Sequence, residues 1–285
     1  MKDKIKAVLA DCAYRIHGRE KGIKVMSIDE TLDELLRTEK SLVRFGDGEI
    51  VMIRGRSLYF QKQMPELSRR LSEILAYREE GLMVAIPDIF QGLSQYRKSG
   101  QRFWKDHLLL FRDVYRECCD PGRRYGNAYV SRPYFNYEDR EKSGEWFSKI
   151  RKLWEGKDII VTEGAGTHNG VGNDLLDGAS RIRRILCPAQ DAGERLDEIR
   201  SACLEMPENC LYLLSLGPAA KLLAQDLFHS GRRVIDIGNL DMEYEWYLQG
   251  ATEKVKLKKH SVIGRKANLE AGYDRYLQEV VREIG

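Results

Sequence analysis

The sequence predicts an α/β protein, Rossmann-like, with a mostly parallel sheet covered by helices on both faces. Three observations carry this expectation. Apolar runs of strand length alternate with amphipathic stretches of helical period, and several of those strands end in turns rich in glycine and acids. No repeat, low-complexity tract or linker interrupts the alternation, so helices and strands share one layered core. At 285 residues and 42% hydrophobic composition, a single domain with a less regular central insertion can be built around a substantial core.

The elements follow in order. Ser27-Ile28-Asp29-Glu30 has the spacing of a capping box, and Leu32, Leu35 and Leu36 continue at helical period, predicting a helix from about Ile28 to Thr38. Ser41 to Phe45 is a short buried strand leading into a glycine-flanked turn. Pro65 to Tyr77 reads as an amphipathic helix on Leu67, Leu71, Ile74 and Leu75, and Gly81 to Pro87 as a strand stopped by proline. Phe90 to Asn136, rich in aromatics and arginine, is the least regular stretch. Beyond it the reading is a helix from Trp146 to Trp154, a strand Asp158 to Thr162, a glycine-rich loop and a helix near Asn173 to Ala179. A strand Ile182 to Cys187, a helix Ala192 to Leu204 and a strand Cys210 to Ser215 continue the series. A helix opened by Gly217-Pro218 and a strand Arg233 to Ile237 close it.

Composition narrows the function classes. A net charge of +3, with opposite charges interleaved along the helices, is no polyanion-binding signature, so nucleic acid is not an expected partner. Asp3, Lys4, Lys6 and Asp11 interrupt the apolar patch at Ala7 to Ala10, which does not fit a signal peptide, and no run approaches the ~20 apolar residues of a membrane span. A cytoplasmic location is the expectation, with peripheral membrane contact left open. The six cysteines lack CxxC spacing and sit in apolar or helical surroundings, which reads as buried free thiols.

Three strand ends carry candidate chemistry. Arg44-Phe45-Gly46-Asp47-Gly48-Glu49 sets two carboxylates one residue apart where the backbone can turn sharply and a ligand approach closely. Thr162 to Asp174 is a strand-to-helix loop with Gly164, Gly166, Thr167, His168, Gly170, Gly172 and Asn173, a setting in which free amides suit phosphate. Its GxGxxxG spacing is one residue too long for a dinucleotide fingerprint, which leaves a nicotinamide cofactor a distant alternative. In the third, Val234 to Ile237 runs into Gly238, Asn239, Asp241, Glu243 and Glu245; acids there also suit the first turn of a helix. Arg132, between Tyr129 and Tyr134, is a candidate phosphate grip or an ordinary surface ion-pair partner. Gly217 opens a further helix at a strand end. No Ser-His-Asp or Cys-His pattern supports nucleophilic catalysis.

Taken together, Ser41 to Glu49, Gly170 to Leu175 and Asp236 to Trp246 resemble, in register, the bacterial glycosyltransferase family of GT-D fold. The resemblance runs from about Val25 to Lys259. It implies a glycosyltransferase domain at 25–260, with an N-terminal helical extension at 1–24 and a C-terminal helical tail at 261–285. It also implies transfer of a sugar, commonly glucose, from a nucleotide donor such as UDP-glucose to an acceptor hydroxyl on a glycan or glycoprotein, aided by a divalent metal, Mn²⁺ or Mg²⁺. Asp47 and Glu49 match the family's DxE motif, and Glu245 falls at a metal-associated glutamate. The glycine-rich loop, with Asn173 and Asp174, would lie near the nucleotide.

Two departures bear on that expectation. Asn239 stands where the family has histidine, which points toward a hard metal or a weak site. Thr167-His168 replaces Ser-Arg and removes a fixed positive charge. For catalysis, Asp47 is the first candidate general base and Asp241 the second, with Arg44, Arg132 and the loop amides stabilising the departing phosphate. An accessory nucleotide-sugar-binding protein that has lost turnover is the alternative reading.

Overall fold

The computed structural model describes residues 22–257, 259 and 272–285, together with a few positions before residue 15. The expected N-terminal extension and the start of the expected C-terminal tail therefore lie largely outside the described residues.

After the short strand β1 (Lys24–Val25) comes helix α1 (Ile28–Thr38), opened by the predicted capping box. Ser27 N donates to Glu30 Oε2 at 2.8 Å and Glu30 N to Ser27 Oγ at 3.1 Å, which satisfies two amides that a helix start leaves free. Strand β2 (Ser41–Arg44) passes at once into α2 (Asp47–Ile53), and α3 (Pro65–Ala76) and β3 (Leu82–Ile86) follow. Next are α4 (Lys98–Cys118), β4 (Arg124–Asn127), a 3₁₀ turn at Ala128–Ser131 and α5 (Ser143–Lys152). The second half contributes β5 (Asp158–Gly164), β6 (Arg181–Cys187), α6 (Leu196–Leu204) and β7 (Leu211–Ser215). It is completed by α7 (Ala219–His229), β8 (Arg233–Asp236), α8 (Leu240–Leu248), α9 (Tyr273–Glu279) and β9 (Val280–Glu283).

The nine strands of the described residues belong to one sheet in the order β1-β4-β3-β2-β8-β7-β5-β6-β9, and each of their pairings is parallel. The central strands β3 and β7 are near-continuous apolar runs buried on both faces, as a sheet covered by helices requires, and β2 and β8 between them place Leu42, Val43, Val234 and Ile235 in the same core. Helices α2, α3, α4, α6 and α7 pack as one group and α1 against α5 as another. From β2 the chain builds outward through β3 and β4. It then crosses to β5 and β6 and fills inward with β7 and β8. The crevice between these two directions opens at the carboxyl ends of β2, β8 and β7, where parallel sheets bind ligands.

Four local expectations differ from the structure. The Asp47–Glu49 turn is the first turn of a helix, because Gly46 can serve as an N-cap. The Phe90–Asn136 region holds the 21-residue helix α4, whose buried face of Trp104, His107, Leu108, Phe111 and Tyr115 is more aromatic than aliphatic. Residues 173–179 form turns rather than a helix, with Asn173 Oδ1 accepting from Leu175 N. The C-terminal segment includes a helix, but it ends in β9, which pairs with β6.

Candidate active site

A cleft of about 470 Å³ lies across the carboxyl ends of the central strands. Its charged end is built by β2 and α2. Asp47 stands at the first position of α2, exposed at the cleft, and among the described residues no cation lies within ion-pair distance of its carboxylate. The protein around it and the charge of Glu49 raise its pKa, with Arg132 acting in the opposite direction.

Glu49, by contrast, is 7% exposed and fully committed. Its Oε2 accepts from Gly46 N at 2.7 Å, capping the helix, and its Oε1 meets Lys221 Nζ at 2.9 Å. Lys221, 3% exposed on α7, also contacts Asp236 Oδ2 at 3.1 Å and donates to Gly217 O at 3.1 Å. Asp236, at the end of β8, pairs with Arg44, whose Nη2 lies 3.0 Å from Oδ1 and whose Nε donates to Asp236 O at 2.7 Å. Burial alone would raise the Asp236 pKa, but Arg44 and Lys221 outweigh it and hold the carboxyl low. Arg44, Asp236, Lys221 and Glu49 thus form a neutral buried chain of charges beneath the cleft.

Two glycines are required by this packing. A Cβ on Gly238 (φ +46°) would lie 1.9 Å from Arg44 Nη2, and one on Gly217 (φ +54°) 2.6 Å from the Phe60 ring. Arg132, half-buried after the 3₁₀ turn, lines the cleft between Asp47 and the buried Glu243, opposing a raised pKa at both; burial is the larger influence on each acid. Glu243 Oε2 accepts from Phe135 N at 2.8 Å and Tyr134 N at 3.3 Å, while its Oε1 has no protein partner.

The opposite end of the cleft is made of small and apolar groups: Gly164, Ala165 and Thr167 after β5, Pro188, Ala189 and Ala192 after β6, and Leu216 after β7. Exposed Asn239 and half-buried Met242, at the start of α8, line the floor between the ends.

The structure therefore gathers Arg44, Gly46, Asp47, Glu49, Arg132, Gly164, Thr167, Gly217 and Asn239 around one cleft. The other predicted site residues lie outside its lining. His168 (φ +52°) is buried, with Nδ1 2.7 Å from Lys259 O and its ring against Tyr276. Asp174 pairs with Arg151 and accepts from Tyr244 Oη at 2.6 Å. Asp241, fully buried, accepts from Gly170 N and Asn173 Nδ2, both at 2.8 Å, and its Oδ2 lies 2.9 Å from Lys259 Nζ. Glu245 Oε1 receives Asn173 Nδ2 and Lys259 Nζ, each at 2.6 Å. Lys259 Nζ also donates to Val171 O at 2.8 Å. An ammonium thus fills the oxygen cluster around Glu245, while exposed Gly172 lies on the loop that this lysine ties to α8.

Among the described residues no three His, Cys, Asp or Glu side chains are grouped to hold a metal. The cleft oxygens that suit a hard cation are those of Asp47 and Asn239; Glu245 is occupied by Lys259 and Asn173. Lys221 and Lys259 escaped the sequence reading. The signal for Lys221 was its place inside the apolar run Ala219-Ala220-Lys221-Leu222-Leu223, where a lone lysine must be buried and paired. Lys259, in a polar segment, carries no such signal.

Among the described residues no helix is long and apolar enough to cross a membrane. The glycosyltransferase family of GT-D fold matches residues 42–264, more than half of the chain. The probable glycosyl transferase Gly of Streptococcus gordonii is 46% identical over 244 residues, which span 85% of this chain and 36% of that protein. The glycosyltransferase GlyD of Streptococcus pneumoniae is 41% identical over 241 residues, spanning 84% and 30%. The chain therefore covers about a third of the length of these curated relatives. A solved structure of a new glycosyltransferase from Streptococcus sanguinis superposes with a TM-score of 0.88 at 42% identity, covering 92% of this chain and all of that one. Another, of a domain with a distinct glycosyltransferase fold, gives 0.89 at 38% identity, covering 98% and 100%. Sequence and backbone superposition agree, and the chain belongs to the glycosyltransferase family of GT-D fold.

Proposed function

We propose that this chain transfers a hexose from a nucleoside diphosphate sugar to a hydroxyl of a glycan or glycoprotein acceptor. UDP-glucose is the first donor to try, on the family resemblance. The observation that carries the proposal is the polarity of the cleft. One end presents an unpaired carboxylate and a guanidinium, and the other a slot of small apolar residues that suits a flat base.

In this reading the base lies among Ala165, Pro188, Ala189 and Ala192, and the diphosphate beside Arg132 and the amino end of α7. Arg132 faces the charge that develops on the departing nucleoside diphosphate. Asp47 accepts the proton of the attacking hydroxyl, since it is the cleft carboxylate without a committed cation and its raised pKa makes it a better base than an ordinary aspartate. Glu49 holds α2, and so Asp47, in place through Gly46 and Lys221. A hard cation would be held by Asn239, on the cleft floor, and would supply further charge neutralisation to the leaving group, with Asp47 left free to take the proton.

The test is release of nucleoside diphosphate from a panel of sugar nucleotides, with and without Mn²⁺ or Mg²⁺. Release from at least one donor supports the proposal. Tight nucleotide binding with no release from any donor refutes it in favour of an accessory binding protein.

A further inference from the structure

The segment crossing the cleft mouth carries an aromatic ring that the fold does not use. Leu58 N donates to Gln61 O at 2.9 Å, closing a tight turn with Tyr59 and Phe60 at its tip. Phe60 points inward, against Gly217. Tyr59 points outward and is 79% exposed, its ring meeting the edge of Phe60 at 4.8 Å.

An exposed aromatic on a slack loop would mean little. This turn is held from the far side of the cleft. Asp191 N donates to Phe60 O at 2.9 Å, Lys62 N to Asp191 Oδ1 at 2.6 Å, and Gly193 N to Gln61 Oε1 at 3.0 Å. On the near side Leu58 packs over Gly48, the neighbour of Asp47. The turn therefore fixes the backbone that carries a flat ring at the mouth, close to the charged end.

We infer that Tyr59 is an acceptor-binding platform, on which the terminal sugar ring of a glycan acceptor stacks as it presents its hydroxyl to Asp47. The inference rests on the donor-transfer reading and goes beyond it by naming the residue that receives the acceptor and the part of the acceptor it meets, a sugar ring rather than a peptide. The donor is enclosed on the cleft floor, whereas an acceptor attached to a larger glycan must be met at the rim. The apolar C–H face of a pyranose fits an aromatic face there, leaving its hydroxyls to water or to reaction.

The experiment is saturation-transfer NMR of cellobiose, lactose and chitobiose with the wild-type protein, Tyr59→Ala and Tyr59→Trp, in the presence of UDP. We expect at least one disaccharide to bind the wild type, its affinity to fall about three- to tenfold in Tyr59→Ala, and Tyr59→Trp to restore it. Absence of binding by all three, or equal binding to wild type and Tyr59→Ala, overturns the inference. A thermal shift of the wild-type protein by UDP-glucose reports on the donor reading separately, so failure of one is distinguishable from failure of the other.

Discussion

Lys221→Met removes the ammonium that joins Glu49 to Asp236 while keeping most of the side-chain volume. Lys221 is 3% exposed and lies 2.9 Å from one carboxylate and 3.1 Å from the other, so solvent does little to replace it. Asp236 retains Arg44, but Glu49 loses its one ion-pair partner among the described residues and keeps the Gly46 amide. Breaking a buried pair by deleting one partner costs about 3–5 kcal/mol. For a chain of this length that corresponds to a fall in Tm of roughly 5–10 °C. Urea and thermal unfolding followed by circular dichroism measure it, and Glu49→Gln in the same background should recover part of the loss, because it removes the stranded charge.

The pH dependence has a definite sign. The folded-state pKa of Asp236 is lowered, so its contribution is present above the unfolded value of ~3.9 and is lost as pH falls through the folded value. The Lys221→Met deficit should therefore shrink in acid. A cost below about 1 kcal/mol, additive with Glu49→Gln, would refute the view that one coupled network supports the cleft floor.

Further outcomes follow from the same contacts. Lys259→Met removes the ammonium that Asp241 Oδ2 and Glu245 Oε1 share; it should cost about 3–5 kcal/mol in urea unfolding and raise the donor KM, with Glu245→Gln restoring part of the stability. Glu243→Gln should stay within about 1 kcal/mol of the wild type or exceed it, because its Oε1 has no partner. Burial raises the folded-state pKa of Glu243, so the wild type loses stability as pH rises from ~4.3 through that value; the glutamine variant should not, as parallel denaturation series would show. The acid limb of kcat/KM should lie above the ordinary aspartate range, since the ionised Asp47 is the active form and its pKa is raised.

Much of the fold was legible because period and punctuation agree in this sequence. The Ser27–Glu30 box and the leucines after it specify α1, and apolar runs such as Leu211 to Ser215 specify strands. What was not legible depended on tertiary partners. Phe90 to Asn136 looked irregular because α4 is buried through Trp104, His107 and Tyr115 rather than an aliphatic stripe. Residues near Asn173 looked helical, yet Asn173 is turned to bridge Asp241 and Glu245.

The candidate site divides in the same way. Sequence placed acids and glycines at the carboxyl ends of the strands, and the parallel topology brings Gly46, Asp47, Glu49, Gly164 and Gly217 to one cleft. It ranked Asp47 first as general base but held no sign that Glu49 is committed elsewhere, because that rests on Lys221, more than a hundred residues away. Nor could it foresee that Lys259 would meet Asp241 and Glu245.

The most direct measurement is the rate of UDP release from UDP-glucose, or from whichever sugar nucleotide the wild type turns over, by Asp47→Asn set against its affinity for the same nucleotide. The account predicts that turnover falls about 10²- to 10⁴-fold while nucleotide binding and Tm stay close to wild type. Turnover near the wild-type rate would contradict it, because Asp47 would then not be the group that takes the acceptor's proton.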